Sequence, residues 1–237
     1  MNREYHKWHS PVLQREMEML VFGHGGTPTI VFPTSMGRFF DYENRGMIAA
    51  ISNKYDNGQM QAFCVDSVDA ESWYNKQVPP RSRVERHMQY ERYILTEVLP
   101  FVRKRTGAER VAVTGCSFGG YHSVNFTLRH PDLVHTCISL GGAFDISSFV
   151  APYWDQDIYF HNPVEYMRNL DDEWYLSLYR EGLRIVLATG EHDICLDENN
   201  KLSNILNRKG IPHYLDVWGN GTGHDWPWWQ QMARKFF

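Results

Sequence analysis

Cysteine is scarce and scattered in this chain. The four residues, Cys64, Cys116, Cys137 and Cys195, form no CxxC pair and no zinc-like spacing. That excludes a disulfide scaffold and a cysteine-built metal centre. Long apolar runs are absent too: none approaches the ~20 residues of a membrane-spanning helix, and mean hydropathy is −0.48. There is no excess of basic charge. A net charge of −4 and a pI near 6.2 exclude the electropositive footprint of a nucleic-acid binder. Met1–Ser10 carries no signal-peptide pattern, so the expectation is a cytoplasmic protein with reduced thiols and no membrane partner. Repeats, low-complexity tracts and Pro/Gly/Ser-rich linkers are also missing. The 237 residues, 43% hydrophobic, are therefore expected to fold as one domain, 1–237. Aromatic residues are abundant, with eight Trp and 14% Phe, Trp and Tyr together. That exceeds what a minimal core needs, so some are expected to line a pocket.

Periodicity along the chain predicts alternating strands and helices. Arg15, Met17, Met19 and Val21 alternate with Glu16, Glu18 and Leu20 as in a half-buried strand. His24-Gly25-Gly26-Thr27-Pro28 reads as the turn of a hairpin leading into the strand Thr29–Pro33. A helix is expected over Tyr42–Tyr55 and a strand over Met60–Val65. Arg81–Arg105 reads as one long helix with a basic, solvated face. Further strands are expected at Arg110–Thr114, Val134–Leu140, Arg184–Thr189 and Tyr214–Trp218, with helices at Phe118–Arg129, Asp197–Lys209 and Trp228–Phe237. The alternation from residue 29 onward predicts a mostly parallel sheet with helices on both faces, and the first 25 residues add antiparallel strands at one edge. Gly142–Gly182, rich in acidic and aromatic residues, breaks the rhythm and reads as a lid-like insertion over the carboxyl edge of the sheet.

Gly115-Cys116-Ser117-Phe118-Gly119 matches G-x-S-x-G, with the apolar strand Val111-Ala112-Val113 before it and a helix after it. Strand–turn–helix is the context a nucleophile elbow requires. Glycines leave room for the sharp turn, and Ser117 would sit exposed at a helix N-terminus, where negative charge is favoured. A serine hydroxyl needs a base, and the chain order for such an elbow is serine, acid, histidine. His224, in Gly219–Asp225 between the last strand and the last helix, occupies the place of the base. The loop after Arg184–Thr189 offers Glu191, Asp193 and Asp197 as the acid, of which Asp193 is the choice and Asp197 reads as a helix cap. An oxyanion hole needs two backbone N–H groups. Phe118 supplies one, and Thr34 or Ser35 the other, with Ser35 preferred. His6 and His9 point to opposite faces of a strand and make no metal site, and Cys116 reads as a small packed residue. Trp226, beside His224, and Trp154, in the insertion, are candidates for the pocket wall, while Trp228 and Trp229 read as core.

Val113-Thr114-Gly115-Cys116-Ser117-Phe118-Gly119-Gly120 with His130-Pro131, Gly190-Glu191-His192-Asp193 and Gly223-His224-Asp225-Trp226 together resemble the putative-esterase family of α/β-hydrolases, which includes esterase D, enterochelin esterases, feruloyl esterases and mycolyltransferases. The resemblance spans roughly residues 28–237. It implies the α/β-hydrolase fold and a serine triad without cofactor or metal. Phe32-Pro33-Thr34-Ser35 replaces the usual His-Gly before the oxyanion loop, and no signature of an acyl or siderophore substrate is present. The expectation is a serine carboxylesterase acting on a small-molecule ester, with short acyl chains, through Ser117, Asp193 and His224. An acyltransferase on the same triad and a non-catalytic binding protein of the same fold are the alternatives.

Overall fold

The computed structural model describes residues 1–237. Strand β1 (Arg3–Ser10) pairs antiparallel with β2 (Arg15–Phe22). The remaining strands are β3 (Thr27–Phe32), β4 (Met60–Val65), β5 (Val111–Cys116), β6 (Val134–Leu140), β7 (Arg184–His192) and β8 (Tyr214–Gly223). They form one eight-stranded sheet in the order β1-β2-β4-β3-β5-β6-β7-β8. β2 meets β4 antiparallel, and every pairing from β4 to β8 is parallel. β4 and β5 are buried at every position, as apolar runs covered on both faces must be. The period-2 alternation splits neighbouring residues between two cores. Ile30, Phe32, Phe63, Val113 and Leu187 face one layer, and Val31, Cys64, Cys116, Val186 and Ala188 face the other.

Two local expectations are corrected. The His24–Pro28 turn closes no hairpin, because β4 lies between β2 and β3. Thr29–Phe32 is buried throughout, and a strand apolar on both faces gains most in the middle of the sheet, with parallel neighbours on both sides. The single helix expected over Tyr42–Tyr55 is three short ones, α1 (Asp41–Asn44), α2 (Met47–Ala50) and α3 (Ser52–Asp56). Gly46 takes φ +74°, the left-handed conformation that terminates a helix.

The long helix is as expected, with a defect inside it. α4 (Pro80–Tyr93) runs through a π turn at Ile94–Val98 into α5 (Leu99–Thr106). The π turn precedes Pro100, whose missing N–H removes one helical hydrogen bond. Its face is not simply solvated. Arg83 is 9% exposed and donates to the carbonyls of Val78 at 3.0 Å and Phe149 at 2.6 Å. Arg86 pairs with Glu71.

Helix α6 (Phe118–Arg129) is buried along its whole length except Arg129. The 142–182 segment folds into α7 (Ser147–Val150), α8 (Gln156–Phe160), α9 (Pro163–Asn169) and α10 (Glu173–Arg180). Val164, Met167, Leu176 and Tyr179 join the main core, and the Tyr179 hydroxyl donates to the Leu128 carbonyl. Most of this segment is therefore a helical layer packed beside α6. The stretch around Phe149 reaches the elbow, through ring contact with Phe118 at 5.4 Å. Helices α11 (Leu196–Arg208) and α12 (Trp226–Phe236) complete the two faces. No helix is long and apolar enough to cross a membrane.

Candidate active site

Ser117 stands between β5 and α6 with φ +54° and ψ −120°. A non-glycine residue held there costs about 1–3 kcal/mol, which the surrounding packing must offset. The motif glycines are what allow it. A Cβ on Gly115 would lie 2.4 Å from the Gly119 backbone, and one on Gly119 would lie 2.5 Å from the Phe32 carbonyl oxygen. Strand, elbow helix and the end of β3 thus approach too closely for any side chain.

The residues expected as acid and base are brought together by strand extension. β7 continues past Thr189 to His192, and β8 past Trp218 to Gly223, so the run expected as a loop is mostly strand. His192 pairs with Gly223 across a bulge. The Glu191 carboxylate accepts the Gly221 N–H at 2.6 Å, and a Cβ on Gly190 would strike the Thr222 carbonyl. Asp193 and His224 follow directly from the two paired ends. Asp193, 5% exposed, accepts through Oδ1 from His224 Nδ1 at 2.8 Å and from the Cys195 N–H at 2.8 Å. A carboxylate on Nδ1 fixes the tautomer in which Nε2 is free to accept. Ser117 Oγ lies 2.8 Å from that Nε2. Glu191 and Asp197, the other carboxylates of this stretch, are exposed and do not reach His224.

Two residues that sequence reasoning did not assign to the site complete this cluster. Trp229, 3% exposed, sets its ring edge-to-face on His224 at 4.8 Å. Gly141, at φ +58°, lies directly beneath: a Cβ there would fall 2.7 Å from Asp193 Oδ2 and 3.3 Å from His224 Nδ1. Trp226, by contrast, packs on Trp229 at 5.1 Å, with the Arg45 guanidinium over its ring at 5.7 Å. Trp154 is 45% exposed on the segment before α8.

The segment expected to hold the second oxyanion donor is a tight turn. The Gly37 N–H donates to the Thr34 carbonyl at 2.8 Å, and Met36, third in the turn, has φ +53°, a position where glycine is ordinary. Left-handed backbone costs a residue with a Cβ about 1–2 kcal/mol. The Ser35 N–H has no partner within the protein, and the Phe118 N–H, first in its helix, has none along the helix. Ser35 Oγ accepts from the Tyr74 hydroxyl at 2.6 Å. Tyr74, Phe118 and Phe149 form an aromatic wall with ring separations of 4.9–5.4 Å.

Burial pushes the Cys195 thiol up to about 12. Asp193, Cys195 and His224 hold the one grouping of three potential metal donors. A cation there would need a thiolate that burial disfavours and would break the Asp193–His224 hydrogen bond, so the set fits proton transfer better than coordination. A cavity of about 480 Å³, walled by Tyr159, Tyr166, Trp174 and Tyr175, lies at the opposite end of α6. It is ~18 Å along the helix from Ser117 and takes no part in this cluster.

The same arrangement of sheet and helices recurs among solved structures. A ferulic acid esterase superposes with a TM-score of 0.80 at 18% identity, covering 99% of this chain and 96% of its own. An S-formylglutathione hydrolase from Staphylococcus aureus gives 0.74 at 16% identity, covering 99% and 94%. A fluorophosphonate-binding serine hydrolase from the same organism gives 0.71 at 17% identity, covering 99% and 96%. No curated protein matches the sequence. The family described as Putative esterase matches residues 19–233, nearly the whole chain with both the elbow and the Asp193–His224 pair inside it. The chain therefore belongs to the Putative esterase family, as an α/β-hydrolase-fold serine hydrolase of ester bonds.

Proposed function

We propose that Ser117, His224 and Asp193 form the catalytic triad of a carboxylesterase for short-chain esters. The observation that carries this reading is the continuous hydrogen-bond path from Ser117 Oγ through His224 to Asp193, both links at 2.8 Å. Ser117 Oγ attacks the ester carbonyl carbon while His224 Nε2 takes its proton. Asp193 keeps the imidazole oriented and stabilises it once charged. The oxyanion is received by the Phe118 and Ser35 N–H groups. His224 then protonates the departing alkoxide, leaving an acyl group on Ser117. A water molecule, deprotonated by His224, attacks that acyl carbon, and the proton returns to Ser117 as the acid leaves.

The acyl group would sit against Tyr74 and Phe149. Phe118 is 2% exposed and closely packed by these two rings, which favours compact acyl groups. Trp226, which packs on the Trp229 that backs His224, and the exposed Trp154 are assigned to the substrate side of the site as part of this proposal. A series of p-nitrophenyl esters tests the reading: kcat/KM should be highest at acetyl to butyryl. A maximum at palmitoyl would exclude it. A fluorophosphonate probe should label the wild-type protein and leave Ser117→Ala unlabelled.

A further inference from the structure

A second carboxylate–histidine pair lies buried behind the oxyanion turn. Asp69 is 1% exposed and His122 is 3% exposed, and His122 Nε2 is 2.9 Å from Asp69 Oδ1. The other oxygen, Asp69 Oδ2, accepts the Met36 N–H at 3.3 Å. Asp69 therefore bridges two elements. His122 belongs to α6, which begins at Phe118, and its ring packs on Phe118 at 5.1 Å and on Phe32, at the end of β3, at 5.7 Å. Met36 belongs to the turn that carries Ser35. Its left-handed backbone is unfavourable for a residue with a Cβ, and turning over the Ser35–Met36 peptide would relieve it. A buried carboxylate holding the Met36 N–H opposes that relaxation, because the turned-over peptide would aim a carbonyl oxygen at a negative charge in a low-dielectric interior.

We infer that Asp69 and His122 are positioning residues that fix the separation and aim of the Phe118 and Ser35 N–H groups. The inference rests on the assignment of Ser117 as nucleophile. Neither residue touches the reacting atoms. Their effect is on the transition state, where the oxyanion has its full charge, and little on the ground-state ester.

Three variants test this. Removing only one partner would leave the other buried and unpaired, so the informative change is the double replacement Asp69→Leu with His122→Phe, an apolar pair of similar shape. It should fold with a Tm close to wild type and lose about 10–100-fold in kcat on p-nitrophenyl acetate, with KM within about threefold. Asp69→Asn retains an acceptor for the Met36 N–H and a donor for unprotonated His122 Nε2, and it should keep most of kcat. A further readout is inhibition by trifluoroacetophenone, whose carbonyl carbon is attacked by a serine hydroxyl to give a hemiketal oxyanion. Its Ki should rise in the double variant by about the factor by which kcat/KM falls. If the folded double variant keeps kcat within twofold of wild type, or if it fails to fold while Asp69→Asn loses as much kcat as Ser117→Ala, the positioning role is wrong. Ser117→Ala separates the two levels: full activity in that variant removes the nucleophile assignment itself, whereas an inactive Ser117→Ala beside a fully active double variant removes only the role of Asp69 and His122.

Discussion

Ser117 can be read from the sequence because its surroundings must be so unusual. Only glycines at 115 and 119 avoid the backbone atoms that crowd the elbow, and the pattern they leave in the chain is conspicuous. Replacing Ser117 or His224 with Ala should lower kcat by roughly 10⁶, and the double replacement should cost little more, since triad members act as a unit. Additive losses in steady-state kinetics would break the assignment. Asp193 was one of three carboxylates in its stretch, and tertiary structure separates them. Asp193→Asn should fall about 10⁴-fold in kcat while remaining folded. Glu191→Gln keeps an acceptor for the Gly221 N–H and Asp197→Asn changes an exposed side chain, so both should stay near wild type in kcat and Tm. Trp229, Gly141 and Asp69 were not legible. Gly141 and Asp69 are distant in sequence from the residues they support, Trp229 follows closely on His224 but read as core, and a buried Trp, Gly or Asp carries no local pattern that says what it faces.

At the scale of elements, periodicity located strands β2 to β8 and helices α4 to α6, α11 and α12, because burial on one face or both leaves a trace in each segment alone, but it placed none of the four helices of residues 142–182. Neighbour relations are a different matter. The His24–Pro28 turn looked like a hairpin because its residues suit a tight reversal, yet Gly23 and Gly26 (φ +86° and +83°) serve a crossover past Met60 and Gln59. The extension of β7 and β8 was hidden for a related reason: Gly219–Gly223 has loop composition and becomes strand only by pairing with its neighbour. The contact between β3 and the elbow helix can be tested directly. Gly119→Ala puts a methyl 2.5 Å and 2.7 Å from the Phe32 and Pro33 carbonyl oxygens, neither of which can swing aside. It should destabilise by about 1–3 kcal/mol, and kcat should fall with it because the turn proposed to carry an oxyanion donor follows Pro33. Gly107→Ala, left-handed at φ +71° but with nothing within 4 Å, should cost about 1 kcal/mol in urea unfolding and leave kcat alone. Equal effects of the two on kcat would contradict the close-approach argument.

For the molecule as a whole, the buried titratable groups make stability depend on acidity. Burial and the nearby Arg129 guanidinium push His161 down from 6.5 to about 4, and burial beside other histidines holds His87 well below its ordinary range. Both are neutral in the native state and take up a proton more readily when unfolded. Their contribution is intact above about pH 6.5 and is lost as pH falls toward 4. Glu91 is pushed up by burial, but its hydrogen bonds to His130 and Arg129 hold it well below the usual carboxylate range, so its contribution is lost at still lower pH. From His161 alone, urea unfolding at pH 5 should give a free energy about 2 kcal/mol below that at pH 7. His161→Gln should flatten that slope; an unchanged slope would locate the acid sensitivity elsewhere. Burial also pushes the thiols up, Cys137 and Cys195 to about 12 and Cys116 well above its ordinary value. Iodoacetamide at pH 8 should therefore leave the native protein unmodified and alkylate all four cysteines once it is unfolded.

What the sequence determined by itself was everything with a local cause: the alternation of strand and helix, set by apolar periodicity, and the elbow with its serine, set by steric exclusion within five residues. The chain order of acid and histidine followed from the order of the strands. Tertiary structure alone decided which carboxylate meets His224, which tryptophan backs it, that β4 inserts between β2 and β3, and that most of the 142–182 segment packs on α6 instead of hanging over the sheet edge. These are long-range outcomes. They depend on which buried surfaces match one another across the fold, and a hydrophobic residue shows in the sequence that it will be buried without showing what will bury it.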